Sequence, residues 1–405
     1  MANSLLTISM ITRKALQLFR NSNAFLQAID RQYDSSFAKS GAKIGNQLRI
    51  RLPNDYTVRT GQTAVPQNTT ENSVLLTLAT MKGVDTSFSS TELSLSMDDF
   101  AVRVLAPMVN TLAGAVAADV MNVVESTPNL VHNVDGANNT ISPVAATWLQ
   151  AGAVLDLNEA PRGDRVIISD PVSMSRTVAG LAGLFNAQDK IASQYKKGLI
   201  GMDVLGYDWM MDQLSIVHQA GTFATGTVNG TANQTGNSIG VTATTGTLNT
   251  GDIITFQGVN GVNKVVKTST GVLQQFVITI PAPAGSTVLN VYPALNPSVG
   301  GLPVANQTVT ASPTPGAAIA AVIKASEVYR KNFAFCPLAF TMVTADLELP
   351  TKAVIAADRQ SYDGISLRMI QDYNSTTDFW LTRLDILYGY AAIRPEWSVI
   401  IADSV

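Results

Sequence analysis

The stretch SMDDFAVRVLAPMVNTLAGAVAADVMNVVE, residues 96–125, decides how the chain is read. Phe100, Val104, Met108, Leu112, Val116, Val120 and Val124 recur every four residues, which places them on one face of a helix. Ser96 followed by Asp99 has the form of a capping box. A helix of this length would extend roughly 45 Å at 1.5 Å per residue, enough to underlie a domain as its spine. Pro107 removes one backbone donor, so a kink or short break is expected there, with Pro107 opening the longer second piece.

Upstream of the spine, residues 1–60 hold nine Lys or Arg against Asp30, Asp34 and Asp55. That is a balance of +6, leaving −9 for the remainder of a chain whose net charge is −3. The excess suits an acidic partner, or pairing within the molecule or with an identical neighbour. Two short amphipathic helices are expected within residues 5–30, on Leu5, Ile8, Ile11, Ala15, Leu18 and Phe19 and then Phe25, Leu26 and Ile29, interrupted by Asn21 and Asn23. Such an arm must cover its own body or a neighbour. Residues 44–52 alternate, with Leu48, Ile50 and Leu52 on one side and Gln47, Arg49 and Arg51 on the other. Residues 74–81 and 84–88 form the returning strand after a polar tip with Pro53, Gly61 and Pro66. Two strands alone are marginally stable in water, so this long hairpin should rest on another surface.

Downstream comes an α/β alternation. Ser142 can cap a helix over 143–157 that ends before Pro161, residues 165–169 read as a buried strand, and Asp170 caps a helix opened by Pro171 and reaching residue 185. Residues 199–217 read as further sheet, turning at Gly201 and Gly206. The composition then changes, for between residues 221 and 316 the only charged side chains are Asp252, Lys264 and Lys267. Strands are expected at 238–243, 252–257, 262–268, 273–280 and 287–292, with Asn260-Gly261 as a type I′ hairpin pair. Ile253, Phe256, Val265, Phe276, Val277 and Ile278 supply apolar groups that a disordered linker would lack. Pro313 and Pro315 close this all-β insert. A helix at 317–326 and strands near 333–343, 365–373 and 379–393 follow, so the insert interrupts one mixed domain.

A chain of 405 residues suffices for two or three domains. Its charged fraction of 14% is low, so its surface is either polar and uncharged or covered by partner subunits. Cys336 is alone and excludes an intrachain disulfide; between Phe335 and Pro337 it reads as a buried, inert thiol. The start MANSLLTISMITRKALQLF lacks the marks of a secretory signal, and no run of about 18 apolar residues predicts a membrane span.

Enzyme motifs are missing. His132 and His218 stand in unrelated contexts, and HExxH, CxxC and Gly-x-Ser-x-Gly do not occur. Gly201 and Gly206 have the spacing of a phosphate loop, yet Tyr207 and Asp208 stand where Lys and Ser/Thr are required. Asp98 and Asp99 point about 100° apart on a helix and cannot share a substrate; they compensate the helix N-terminus. Arg162-Gly163-Asp164 is a helix-to-strand turn. The expectation is no catalytic, cofactor-binding or metal-ligating residue, no cofactor, and no enzyme.

Four segments, MDDFAVRVLAPMVNTLAGAVAADV (97–120), TATTGTLNTGDIITFQGV (242–259), YRKNFAFCPLAFTMVTADLELP (329–350) and LDILYGYAAIRPEW (384–397), in this element order resemble the tailed-bacteriophage major capsid proteins of the Hong Kong 97 fold. The likeness is to the short-tailed Salmonella phage coat-protein group, which carries a β-barrel insertion domain. It implies an α+β fold with an N-terminal arm (1–43), an extended hairpin loop (44–90), the spine helix and peripheral domain (91–140), the first part of an axial α/β domain (141–220), an all-β insertion domain (221–316) and the axial and peripheral completion (317–405). It further implies a major capsid protein that self-assembles into the icosahedral shell around the double-stranded DNA genome of a tailed phage. Implied partners are identical coat subunits in pentamers and hexamers, a scaffolding protein, a portal and the packaged DNA, with no membrane. The implied location is the virion capsid, assembled in the host bacterial cytoplasm.

Two departures from the family pattern matter. Residues 53–72 contain no Lys, which argues against an isopeptide cross-link from the loop tip. Only some 43 residues precede the hairpin, so the scaffolding protein is expected to be separate. The mechanistic expectation is that the hairpin of 44–88 lies across an adjacent subunit while the arm of 1–40 reaches another. Alternative readings are another virion protein or a cellular shell-forming protein of the same fold, or a hydrolase using the insert as a carbohydrate-binding module. The last lacks a recognisable pair of carboxylates.

Overall fold

A computed structural model describes residues 8–21, 23–31, 47–59, 61–64, 66, 71–89, 104–181, 200, 204–298, 304–350 and 354–405. Expectations for Ser96, Asp98, Asp99, Phe100, Gly201 and residues 182–199 lie outside the described residues. The chain forms two compact units, one of residues 1–50, 74–122 and 340–393 and the other of residues 51–73, 123–339 and 394–405.

The first unit is organised on the long strand Phe379–Ala392. Residues 379–388 of this strand pair antiparallel with Thr80–Ser89, residues 379–385 with Ile365–Asn374, and residues 387–392 with Phe340–Ala345. Ala356–Tyr362 completes a five-stranded sheet. The spine helix runs over Ala106–Met121, about 24 Å, and passes into a tighter turn at Asn122–Ser126, while the expected first part of the helix, 96–103, lies outside the described residues. Pro107 lies in its first turn, where a missing N–H costs nothing. Met108, Leu112, Val116 and Val120 are buried as expected, with Val109, Ala113 and Ala117 widening the stripe. Against the expectation of no such run, Ala106–Ser126 is by length and composition apolar enough to cross a membrane, but more than half of it is buried in the protein as a core helix.

The arm forms helices Ile8–Asn21 and Ala24–Ala28, the second capped by Asn23, whose Oδ1 accepts from the Leu26 N–H at 3.0 Å. Ala15, Leu16, Phe19, Phe25 and Leu26 are buried. The first helix packs on the strands Ala356–Tyr362 and Ile365–Asn374 and on the spine helix. Asp30 accepts from the Met342 N–H at 3.0 Å and donates to the Phe340 carbonyl at 3.3 Å. Arg31 pairs with Asp363 at 2.9 Å. Over these residues the arm's buried apolar side chains cover its own sheet and spine helix.

Gln47–Arg51 hydrogen-bonds with Ser73–Thr77, with Ile50 buried and Gln47, Arg49 and Arg51 exposed, in the expected alternation. The hairpin is nevertheless shorter than expected. Thr80–Ser89 leaves this pair for Phe379–Ala392, turning Lys82, Val84, Thr86 and Phe88 to the more buried side.

In the second unit a seven-stranded sheet runs in the order Thr140–Ile141, Leu130–Val134, Ser398–Ser404, Val328–Phe335, Val166–Ser169, Asp208–Met211, with Ile216–Gln219 also pairing with Val328–Phe335. The central strand Ser398–Ser404, buried through residue 403, was not anticipated. The expected strand 333–343 is interrupted by a turn at Pro337–Ala339, where the chain passes to the other unit. Helix Ala145–Leu157 packs Trp148, Ala151 and Leu155 onto Ile167, Trp209, Val399 and Ile401, with the Trp148 and Trp209 rings 4.8 Å apart. Ser142 does not cap this helix. The Val144 N–H donates to Thr147 Oγ1 at 3.3 Å, while the Ser142 carbonyl accepts from Asn133 Nδ2 at 3.0 Å. Asp170 does cap the next helix, Pro171–Leu181, accepting from the Val172 N–H at 2.8 Å.

Between Ile216–Gln219 and Val328–Phe335 the chain builds a second sheet, in the order Ile319–Ala321, Ile253–Val262, Ser269–Ile280, Val288–Leu295, Gly236–Gly240. Its own core gathers Phe223, Ile254, Phe256, Phe276, Ile278, Leu289 and Val291. Asn260-Gly261 is not the turn. Both residues lie inside the bulged strand Ile253–Val262, and the turn falls in the expected strand 262–268 because Asn263 Oδ1 accepts from the Val265 and Val266 N–H groups at 3.0 and 2.8 Å. The helix expected at 317–326 is also corrected. Ala317, Ile319 and Ile323 are buried while Ala318 and Ala320 are exposed, and Ile319–Ala321 pairs as a strand with residues 254–256.

Candidate functional site

The β-rich module meets the sheet of the second unit at a buried cluster of charge. The two chain crossings hydrogen-bond to each other, Ala220 N–H to the Glu327 carbonyl at 2.8 Å and Ser326 N–H to the Gly221 carbonyl at 2.9 Å. Beside them Lys331, with its side chain 0% exposed, donates to Glu125 Oε2 at 2.6 Å. His218 Nε2 lies 2.9 Å from Asp252 Oδ1, and Nδ1 lies 3.5 Å from Glu125 Oε2. Asp252 Oδ2 accepts from the Gly221 and Asn249 N–H groups at 3.0 and 2.7 Å. Gly251, at φ +86°, brings the module's backbone so close that a Cβ would overlap Glu125 Oε2.

Electrostatics follow from these contacts. Burial would raise Glu125, but the hydrogen bond from His218 and the charge of Lys331 hold it below its ordinary range. Burial would lower His218, yet its bonds to Asp252 and Glu125 carry it above its ordinary value. Burial pulls the Lys331 ammonium down, against the Glu125 carboxylate.

All three charged side chains of residues 221–316 tie the module to other parts of this unit. Asp252 serves the cluster, Lys264 pairs with Glu396 at 2.5 Å, and Lys267 pairs with Asp55 at 3.3 Å. Tyr292 donates to the second oxygen of Glu396 at 2.9 Å, and Gln275 exchanges two hydrogen bonds with the Leu130 backbone. The module's own surface is almost uncharged, with Val265, Val266, Val272 and Ile280 exposed among its polar side chains.

Other surfaces keep apolar groups in the open. Tyr56 and Val58 are 57% and 95% exposed. Helix Ala145–Leu157 carries Leu149 and Leu157 on its outer side, Leu149 being 54% exposed. Its one charged residue, Asp156, is already engaged by Arg165 at 2.7 Å and Arg162 at 2.9 Å. A helix apolar on both faces is one that expects cover on both.

Residues 1–400 match the family model described as P22 coat protein, gene protein 5. The chain belongs to the P22 coat protein family. It is therefore a major capsid protein, a subunit of an icosahedral shell of identical copies within the virion. Among solved structures, Mycobacterium phage Che8 aligns at TM-score 0.47 and 10% identity, over 94% of this coat protein and 90% of that chain. The capsid of the cyanophage P-SCSP1u aligns at TM-score 0.47 and 11% identity over 100% and 92% of the two chains. The mature capsid of bacteriophage PhiM1 aligns at TM-score 0.43 and 10% identity over 89% and 82%. No curated protein matches the coat protein.

Arg162 pairs with Asp156 and Asp164 takes φ +57° in a turn. Cys336 is buried, and burial raises its thiol above the ordinary range. Tyr207 is buried and pushed up to about 12, again by burial. His218, which belongs to no sequence motif, lies between two carboxylates in the fold. Lys331 and Glu125 were missed. The available signal was parity, for Lys331 shares its strand face with Tyr329, Phe333 and Phe335.

Proposed function

We propose that this coat protein encloses double-stranded DNA as the shell of a tailed phage, assembling in the host bacterial cytoplasm on a separate scaffolding protein and closing around a portal. It makes and breaks no bonds itself. The segment of residues 51–73 lies on an adjacent copy, and residues 221–316, extended through the strand Ile319–Ala321, serve as an insertion domain. The observation that carries this reading is the exposure of Tyr56 and Val58 in a segment whose one ion pair to the module is Asp55–Lys267 among the described residues. Apolar side chains held in the open find cover on sister subunits. The resemblance in four sequence segments supports the DNA, scaffold and portal assignments, and a modestly acidic chain suits a container that must release its nucleic acid. Deleting residues 54–70 tests the loop. Expressed with its scaffold, the shortened chain should form few or unstable particles by negative-stain microscopy, and particles of normal yield and stability would refute the assignment.

A further inference from the structure

Both ring nitrogens of His218 face carboxylates, Asp252 Oδ1 at 2.9 Å and Glu125 Oε2 at 3.5 Å. A neutral imidazole has one N–H, so it can serve one of these oxygens while turning a lone pair on the other; the imidazolium serves both. The charge count points the same way. Glu125 and Asp252 bring −2 and Lys331 brings +1, so the ring proton completes neutrality in a buried site.

The groups facing His218 come from separate segments. Glu125 stands on the turn Asn122–Ser126, Asp252 on the module, and Tyr329 and Lys331 on Val328–Phe335, with the Tyr329 ring 5.4 Å from the imidazole. Glu327 adds negative charge at the crossing, acting on Tyr329. His218 is the ionisable residue of its own strand, Ile216–Gln219. Asp252 is the module's contribution, and its second oxygen fastens the Gly221 and Asn249 backbone.

We propose that Glu125, Lys331, His218 and Asp252 form a proton-operated latch: with His218 protonated the module is held against the sheet, and loss of that proton releases the Asp252 turn. The hydrogen bonds to Asp252 and Glu125 outweigh burial and raise the histidine above its ordinary value. The latch is therefore fully closed below about pH 6.5, the unfolded value, and opens as pH rises through the folded one. In a closed shell this makes the freedom of each copy's module a function of pH.

The chain has two histidines, so a histidine-labelled, unassembled full-length protein reports both by NMR. His218 should titrate above 6.5 and His132, lowered by burial, below it. Hydrogen exchange of residues 219–222 and 249–252, corrected for intrinsic rates, should rise severalfold between pH 6 and 8.5. His218→Gln should abolish that step. If His218→Gln fails to fold, Asp252→Asn, which keeps an acceptor oxygen without the charge, should move the step to lower pH. Flat exchange in the native chain, a step that survives in His218→Gln, an unshifted step in Asp252→Asn, or His218 titrating at or below His132 overturns the latch.

Discussion

Lys264 Nζ lies 2.5 Å from Glu396 Oε1, so a module whose own surface carries almost no charge spends one of its three charges on a carboxylate beside the last strand. Lys264→Met would leave that carboxylate, 17% exposed, to Tyr292 and its own backbone N–H. Removing one partner of a buried pair costs about 3–5 kcal/mol, and the partial exposure of Lys264 reduces this to about 2 kcal/mol. Urea unfolding of the unassembled protein should show the loss. Burial would raise Glu396, but the charge and hydrogen bond of Lys264 hold it below its ordinary value. Its contribution is thus present above about pH 4.5 and fades as pH falls through the folded value, a fading that Lys264→Met should not show.

Gly251 and Gly258 both have positive φ, +86° and +79°, but only the first has a neighbour where a Cβ would go. Gly258→Ala should cost about 1 kcal/mol from backbone strain. Gly251→Ala should cost at least about 2 kcal/mol more, because Glu125 must move and its bond to Lys331 break. Thermal unfolding of the paired variants compares them directly.

Asp385, fully buried, accepts from Arg368 at 2.6 Å and from Arg383 at 2.8 Å, and faces Gly83 across the strand pair. Asp385→Ala should lower the stability of the first unit by about 3–5 kcal/mol, since two guanidinium groups lose their shared partner. Limited proteolysis should cut that unit earlier than in the native protein.

The Cys336 thiol is buried and shifted upward by burial, against the weaker pull of a backbone hydrogen bond from Leu338. Iodoacetamide at pH 8 should leave it unmodified in the folded chain and alkylate it in denaturant, with mass spectrometry counting the adduct.

Leu149→Asp and Val58→Asp place charge on exposed positions that touch no core. Each should leave folding stability within about 0.5 kcal/mol while reducing particle yield in sedimentation. Wild-type yields for both would show that copies do not cover these surfaces.

Strands with strict alternation and helices with a cap were legible in the sequence. Residues 47–52 show the first and Asp170-Pro171 the second, because in each case the signal is local. What escaped depends on distant partners. Asn260-Gly261 has turn chemistry, but Asn263 makes the turn and Gly261 bridges to Val309. Residues 317–323 are rich in alanine, a good helix former, yet their alternation seats Ile319 in the module's core. Ser398–Ser404 is a short run that becomes central only because Leu130–Val134 and Val328–Phe335 flank it. The buried quartet was hidden for the same reason, since its four members are separated by as many as 206 positions in the chain.

Gln219 and Val328 stand opposite each other on adjacent strands, so the hundred or so residues between them begin and end about 5 Å apart. A two-residue turn would bridge that gap, so the strand pairing itself sets no length for what lies between, whereas His218, Glu396, Asp55 and the Leu130 backbone each take a partner from it. The seam would therefore accept a different polypeptide only if its own ends lie close together and it again offers a carboxylate to His218 and a cation to Glu396.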